Sequence, residues 1–289
     1  MDQGYAMQNG DEVKTGAVYI VATPIGNLKD MTIRGIEVLK MVDLVAAEDT
    51  RRARILLDAY AITTPVTSLF EHNEDKKSAV LTSLLLSGKD IAYITDAGTP
   101  GISDPGYILV RQAIKNGIRV IPIPGASAVI AGLSAAGIPA GSFIFDGYIP
   151  PSSAKRKKYY ESIRHEKRPI VFYESPRRLL CSLADMKEVL GDRHVVMLRE
   201  LTKVFEEIVR GGITELMSRI ARGSVKGEIT LILSPDRTKA VAEIPETAVI
   251  HGLFDKKIKN GGCSGRDAID AIARELDIPR KQIYELVFS

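Results

Sequence analysis

Short apolar runs alternate with helical patterns over the first 125 residues, and this alternation constrains the fold more than any other feature. The runs that read as buried strands are AVYIVA, LVAA, VTSLF, IAYIT and IRVIPIPG. Amphipathic patterns such as TIRGIEVLKMV separate them. Because strands joined through helices run in the same direction, the alternation predicts an α/β fold with a mostly parallel sheet covered by helices.

The same rhythm restarts after about Pro139. The strand-like runs here are SFIFDGY, PIVFYES, HVVMLRE, EEIVRG and EITLILS. EEIVRG follows MLRE too closely for a helical crossover, so these two runs are expected to pair antiparallel. We therefore predict two α/β domains, residues 16–125 and residues 126–235.

The two ends of the chain differ from this pattern. Residues 1–15 are polar and lack the basic and apolar regions of a signal peptide, which predicts a disordered tail. Residues 236–289 are predicted to be a linker and a small helix-turn-helix-like domain. Within it, Ser264 and Asp267 have capping-box spacing and two short apolar helical faces follow.

Composition narrows the class of protein. The net charge is only +3, so the chain as a whole does not demand a nucleic-acid partner. The most apolar segment, residues 126–140, is shorter than the roughly 20 residues that span a bilayer, and no membrane segment is expected. Two cysteines, Cys181 and Cys263, favour the reducing cytoplasm. The histidines are scattered without zinc-finger spacing, so no metal site is expected.

Three glycine- and proline-rich loops follow predicted strands: ATPIGN, DAGTPGISDPG and IPGASA. In parallel sheets, ligands bind at the carboxyl ends of the strands. Glycine lets the main chain approach a ligand closely, and proline fixes its direction. The loops contain no dinucleotide or P-loop signature and no Lys or Arg. Ordinary turns are the alternative, but three such loops on one sheet edge favour a small-molecule site.

The order of several motifs identifies a resemblance. VYIVATPIGNLKDMTIRGIEVL, VAAEDTRR, FEHNE, ITDAGTPGISDPGY, PIPGASA and KGEI resemble the tetrapyrrole-methylase superfamily, in particular its branch that modifies small-subunit ribosomal RNA. The resemblance covers roughly residues 17–235, and the tail is similar to that branch's helical C-terminal domain. It implies 2′-O-methylation of a cytidine ribose in 16S rRNA with S-adenosyl-L-methionine. It also implies a cofactor cleft between two α/β domains and a homodimer.

The resemblance also implies which residues bind the cofactor. In the first half they are Pro24, Gly26, Asp96, Gly98, Thr99, Pro100, Ile102, Gly125, Ser127 and Ala128. In the second half they are Tyr173, Leu198, Gly227, Glu228 and Ile229. Many superfamily members have Gly-Asp-Pro where this chain has Gly98-Thr99-Pro100, so the main polar contact falls to either Asp96 or Thr99.

Methylation of a ribose hydroxyl requires removal of its proton, and a positioned base contributes about 10²–10⁴-fold. Glu48 and Asp49 in AEDTRR are the predicted catalytic residues, with Glu71 and His72 in FEHNE as further candidates. The alternative for Glu48 and Asp49 is an acidic pair at a helix N-terminus, with Asp49 or Thr50 as the cap.

Local basic clusters are the predicted RNA contacts. They comprise Arg51 and Arg52, followed by Lys155, Arg156, Lys157 and Lys158 before two tyrosines. A solvated helix face is the alternative. Two rival functions stay open: methylation of a small tetrapyrrole-like substrate, and RNA binding without catalysis on a methylase frame. The basic clusters favour RNA over the first rival, and the intact cofactor loops argue against the second.

Overall fold

The structure, a computed structural model, describes residues 15–221, 223, 225–236, 247–261, 264–276 and 280–288. The predicted tail lies outside these residues except for Thr15, and so does most of the predicted linker, residues 237–246. The chain divides into two compact units, Met1–Pro235 and Asp236–Ser289.

The first half of the larger unit forms a five-stranded sheet in the order β3-β2-β4-β1-β5, with every described pairing parallel. Its strands are β1 (Ala17–Val21), β2 (Leu44–Ala47), β3 (Val66–Ser68), β4 (Ile91–Ile94) and β5 (Arg119–Ile123). Its helices are α1 (Ile33–Met41), α2 (Thr50–Ala59), α3 (Glu74–Leu86) and α4 (Tyr107–Lys115), with 3-10 turns at Leu28–Asp30 and Glu71–Asn73. The predicted parallel α/β fold is confirmed.

Two apolar clusters cover the two faces of this sheet. One includes Leu39 and Leu57 from α1 and α2, and the other includes Leu81 and Leu109 from α3 and α4. Strand β4 is buried at all four positions, as expected for a central parallel strand with helices on both sides.

The second half forms a mixed sheet in the order β6-β7-β10-β8-β9. Its strands are β6 (Ile144–Tyr148), β7 (Ile170–Glu174), β8 (His194–Arg199), β9 (Glu207–Gly212) and β10 (Ile229–Leu233). Its helices are α5 (Ala128–Ala136), α6 (Ser153–Ser162), α7 (Pro176–Leu190) and α8 (Ile213–Ile220). Strands β8 and β9 pair antiparallel, as predicted. Helix α5 packs its Val129 and Leu133 in one cluster with residues of this sheet, so the second half begins close to residue 126.

The smaller unit contains three described helices, α9 (Thr247–Gly261), α10 (Gly265–Leu276) and α11 (Arg280–Phe288), around a core of Ile250, Ile269, Ile272, Ile283 and Val287. Ser264 caps α10, since its Oγ accepts a hydrogen bond from the Asp267 N–H at 3.3 Å. Helix α9 was not predicted, because only two short helices, both after residue 263, were expected beyond the linker. None of the helices in the described ranges has the length and apolar character needed to span a bilayer.

Candidate functional site

A cavity of about 410 Å³ lies where the two halves of the larger unit meet. Residues after β1, β2, β4 and β5 form its wall on the side of the first sheet. On the other side the wall comes from the end of β6, the end of β7 and the start of β10. The carboxyl ends of four parallel strands therefore converge on one space, as a ligand site in an α/β sheet requires.

The glycine-rich loop after β4 is tied to both neighbouring loops. Thr23 and Gly98 exchange two backbone hydrogen bonds, at 2.8 and 3.1 Å. Thr99 Oγ1 donates to the Ala126 carbonyl at 3.1 Å. Gly98 has a φ of +84°, a conformation that residues with a side chain rarely adopt. The glycine- and proline-rich loop after β4 and its two neighbouring loops are therefore joined by hydrogen bonds, and together they form one wall of the cavity.

The far end of this loop is held by a buried carboxylate. Glu74 Oε1 accepts hydrogen bonds from the N–H groups of Gly106 and Ile108, both at 2.8 Å, at the start of α4. A negative charge is favourable at a helix N-terminus. Gly106 has a φ of +116°, and a Cβ there would lie 2.3 Å from the Tyr93 ring. The FEHNE motif thus supports the loop through its last residue, Glu74, and not through Glu71 or His72, neither of which lines the cavity.

Most of the predicted cofactor residues lie on this cavity: Asp96, Gly98, Thr99, Ile102, Ser127, Ala128, Tyr173, Gly227, Glu228 and Ile229. Pro24 and Gly26 line an adjoining cavity of about 250 Å³, which shares Asp96 and Glu228 with the first.

Three of the predicted cofactor residues do not line either cavity. Pro100 is buried within the loop. A Cβ on Gly125 would lie 3.0 Å from the Ala22 Cβ, so this glycine allows two loops to pack closely. Leu198 is 1% exposed and packs in the core beneath α5. These three residues support the wall from behind.

The structure places Asp49 at the start of α2 and not on the cavity. It is the N-cap of α2, and its Oδ1 accepts the Arg51 N–H at 2.8 Å. The Arg51 guanidinium also donates to Asp49, at 3.1 and 2.7 Å, and these bonds lower the pKa of Asp49 to about 2. Asp49 does not line the cavity. The capping alternative therefore describes Asp49, and a carboxylate so weakly basic is a poor proton acceptor.

Among the carboxyl groups that line the cavity, Glu48 and Asp104 have raised pKa values. Burial raises the pKa of Glu48, and the nearby Asp96 carboxylate adds to the effect. Burial, with the negative charge of Glu48 next, raises the pKa of Asp104 to about 7. Asp104 was not predicted as a site residue, although it is the second aspartate of DAGTPGISDPG. Within the described ranges, no group of three or more His, Cys, Asp or Glu side chains has the arrangement of a metal site.

A family model described as Tetrapyrrole (Corrin/Porphyrin) Methylases matches residues 17–217. The chain belongs to the tetrapyrrole methylase family. A relative from Streptococcus pyogenes is 40% identical over 275 residues, covering 95% of this chain and 96% of that protein. A relative from Haemophilus influenzae is 46% identical over 247 residues, covering 80% and 87%. Both are named ribosomal RNA small subunit methyltransferase I, and the resemblance read from the motifs is confirmed.

Solved structures share the methylase fold. A uroporphyrin-III-C-methyltransferase from Thermus thermophilus has a TM-score of 0.53 at 18% identity, covering 76% of this chain and 94% of that one. A cobalt precorrin-4 methyltransferase of cobalamin biosynthesis has a TM-score of 0.56 at 17% identity, covering 75% and 94%. At such identities the likeness supports the methylase fold alone.

In the second half of the methylase fold, an ion-pair cluster of Glu200, Lys203 and Glu228 holds part of the cavity wall. Glu200 Oε1 accepts the Glu228 N–H at 2.9 Å and Lys203 Nζ at 2.8 Å, and Lys203 Nζ also donates to Glu228 Oε2 at 3.1 Å. Gly227 has a φ of +91°, and a Cβ there would lie 2.3 Å from the Glu200 carboxyl. Position 227, between this ion-pair cluster and the cavity, therefore requires glycine.

Some cations of the predicted basic clusters form ion pairs within the protein, and others are exposed to solvent. Arg52 lines the cavity and pairs with Asp96 at 3.3 Å, whereas Arg51 is held by Asp49. Lys155 and Lys158 are exposed on α6. Lys157 pairs with Glu188 at 2.7 Å.

Arg156 is not available for RNA, which corrects the prediction. Its side chain is 6% exposed, and its Nε and Nη2 donate to Asp185 Oδ2 at 2.8 and 2.7 Å. Its Nη1 donates to the Pro151 carbonyl at 2.7 Å. Arg156 therefore joins α6 to α7, and the predicted patch reduces to Lys155 and Lys158 with Lys157 at its edge.

We expect Arg156→Ala to lower the free energy of unfolding by about 3 kcal/mol, because it removes both guanidinium hydrogen bonds to the nearly buried Asp185 carboxylate and leaves it the more distant Lys157 Nζ at 3.9 Å. Lys158→Ala on the same helix is the control, with an expected change within about 0.5 kcal/mol. Urea unfolding followed by far-ultraviolet circular dichroism measures both. Equal, small effects of the two substitutions would contradict the structural role of Arg156.

Proposed function

We propose that this protein is an S-adenosylmethionine-dependent methyltransferase that methylates the 2′-hydroxyl of a cytidine in 16S rRNA of the small ribosomal subunit. The observation that carries the proposal is the cavity between the two halves, which combines a glycine-rich frame with two weakly acidic carboxyl groups. The names of relatives about 40% identical over nearly the whole chain support the RNA substrate. The cytidine ribose follows from the motif resemblance.

The residues on the cavity fit the proposed cofactor. Apolar side chains such as Ile25, Ile102 and Ile229 suit the adenine ring. The carboxylates of Asp96 and Glu228 suit the positive charges of the methionine part. Because a carboxylate attracts these positive charges more strongly than a hydroxyl does, we favour Asp96 over Thr99 for the main polar contact. When bound there, S-adenosylmethionine supplies an activated methyl group on a sulfonium.

The proton of the ribose hydroxyl goes to Asp104 in this proposal. With a pKa of about 7, Asp104 is largely ionised just above neutral pH and yet more basic than an ordinary carboxylate. Glu48 is the second candidate, and its negative charge helps to keep Asp104 basic. Arg52 beside Asp96 offers a cation for an RNA phosphate at the same site.

The decisive experiment supplies labelled S-adenosylmethionine and small ribosomal subunits from a strain that lacks this enzyme. We expect one methyl group per subunit, recovered as 2′-O-methylcytidine after complete digestion of the RNA. Transfer to a tetrapyrrole but not to subunits would support the small-substrate rival. Cofactor binding without any transfer would support the non-catalytic rival. The homodimer and the cytoplasmic site of action stay predictions, and sedimentation analysis tests the first.

The exposed lysines of α6 give a second test of the RNA substrate. The double variant Lys155→Glu, Lys158→Glu should weaken subunit binding and leave cofactor affinity unchanged. For each phosphate that the variant no longer binds, the slope of log K against log salt should flatten by about 0.7–0.9. Lys76→Glu with Lys115→Glu makes the same charge change on α3 and α4 and serves as the control. A wild-type slope in the α6 variant would mean that these lysines form only a solvated face.

A further inference from the structure

An exposed tyrosine stands at the edge of the cavity. Tyr148 ends β6 and lines the cavity, yet 62% of it is exposed to solvent. Its ring lies edge-on to Tyr173, with centroids 5.6 Å apart and an interplanar angle of 62°. Tyr173 in turn packs edge-on against Phe145 at 5.0 Å. The ring of Tyr148 is therefore supported from the inside while much of its surface faces outward.

The loop after β4 comes close to this tyrosine. A Cβ on Gly147 would lie 3.4 Å from Ser103 Oγ, so the end of β6 runs against the loop. Ile102, 44% exposed, and Asp104 flank Ser103 and line the same cavity. The edge of the cavity thus has an aromatic ring, an exposed aliphatic side chain and the proposed base within one short stretch of surface.

A cation lies beside the same edge. Ser175 and Pro176, at the start of α7, line the cavity, and the next residue, Arg177, is exposed. Arg178 is different, because its Nη2 donates to the buried Glu174 at 2.6 Å. The first turn of α7 therefore offers Arg177 to solvent beside the cavity, while Arg178 is engaged inside.

An aromatic ring beside a free cation is the arrangement that recognises an unstacked nucleotide. Single-stranded RNA is bound by stacking its bases on aromatic side chains, while cations contact its phosphates. A nucleotide of folded RNA must also leave its stack before an enzyme can reach it in a cavity. Tyr148 is not among the residues expected to bind the cofactor, and most of its surface faces solvent at the edge of the cavity, whereas cofactor residues such as Gly98 and Ile229 are buried.

We propose that Tyr148 is the stacking platform for the acceptor base, so that the unstacked nucleotide sits on this ring with its ribose toward Asp104 and its phosphate toward Arg177. This inference rests on the proposed function and adds the residue that positions the acceptor. The ring provides the contact, and the phenol hydroxyl is dispensable.

The test compares Tyr148→Ala, Tyr148→Phe and Tyr107→Ala in methyl transfer to undermethylated small subunits. Tyr107 is 66% exposed at the start of α4 and lines neither cavity described above, so it is the matched control. Tyr148→Ala should raise the KM for subunits about tenfold, with kcat within a few-fold, as expected when base stacking is removed. Tyr148→Phe and Tyr107→Ala should behave like the wild type.

Two further measurements separate this role from others. Calorimetry should give the same cofactor affinity in all variants, and a large loss in Tyr148→Ala would assign this ring to the cofactor and overturn the proposal. The salt slope should be unchanged in Tyr148→Ala and flatter in Arg177→Gln, since a base contact releases no counterions.

The remaining outcomes are equally distinct. A normal KM in Tyr148→Ala, a loss in Tyr148→Phe equal to that in Tyr148→Ala, or an equal loss in Tyr107→Ala would each overturn the stacking role. If the wild-type protein transfers no methyl group to subunits, the proposed function itself fails, and this inference fails with it.

Discussion

Asp104→Asn is expected to slow methyl transfer by about 10²–10⁴-fold, the usual contribution of a positioned base. Asparagine keeps the size of the side chain but cannot accept the proton. The measurement is the single-turnover rate on undermethylated subunits at saturating cofactor, with cofactor affinity measured separately by calorimetry. The affinity should change little, because the cofactor wall is assigned to other residues.

Asp49→Asn is the matched control for this substitution. Asparagine caps a helix about as well as aspartate, so α2 should keep its N-terminus. Because Asp49 caps α2 and does not line the cavity, the rate should stay within a few-fold of the wild type. A large loss in Asp49→Asn with a normal rate in Asp104→Asn would reverse the assignment made from the structure.

The pH dependence of the rate provides an independent check. A base must be ionised to act, and the pKa of Asp104 is raised to about 7, so the wild-type rate should fall as the pH drops below neutrality. Glu48→Gln removes a negative charge that raises this pKa. The fall should then move to lower pH. A pH profile that Glu48→Gln leaves unchanged would show that the two carboxyl groups are not coupled in the reaction.

The sequence was sufficient for the fold and for most of the cavity wall. Buried parallel strands appear as apolar runs, and loops that approach a ligand need glycine wherever φ is positive, as at Gly98 and Gly227. Both signals are local, so they can be read without knowing which segments meet. The order of the motifs along the chain resembles that of the tetrapyrrole-methylase superfamily, and this resemblance implied that the two halves share one cofactor cleft.

The features of the site that the sequence did not locate depend on contacts between distant segments. An acidic residue between a strand and a helix serves equally well as a cap or as a base, and only the position of the cavity separates Asp49 from Glu48. The raised pKa of Asp104 arises from burial and from Glu48, more than fifty residues away in the chain. No pattern in the loop itself indicates this coupling.

Arg156 was misassigned although a signal was present. In a run of four basic residues each charge looks equivalent, but Arg156 and Tyr160 are four apart and share the buried face of α6. The partner of Arg156 is Asp185 on α7, which the sequence does not pair with it. Helical spacing within a charge run therefore identifies the residue to exclude, even where its partner is unknown.

Gly98→Val is expected to weaken S-adenosylmethionine binding by about a hundredfold or more, a free-energy loss of roughly 3 kcal/mol. The expected loss comes from the strained backbone conformation and not from a steric clash of the new side chain. A Cβ here would lie 3.5 Å from Ile25 Cγ2, an ordinary contact, but a β-branched residue is strongly disfavoured at a φ of +84°. Relief of this strain moves the loop, breaks its paired hydrogen bonds with Thr23 and displaces the wall that carries Asp96 and Thr99.

Gly117→Val separates damage to the cofactor wall from general backbone strain. Gly117 follows α4 and has a φ of +68°, and a Cβ there would meet no atom within 4 Å, so the conformational strain is similar and the cavity is not involved. Both variants should lose thermal stability, whereas calorimetry should find weakened cofactor binding only in Gly98→Val. Unchanged affinity in Gly98→Val would remove the loop after β4 from the cofactor site, because the strain at residue 98 acts on the same hydrogen bonds that hold that wall in place.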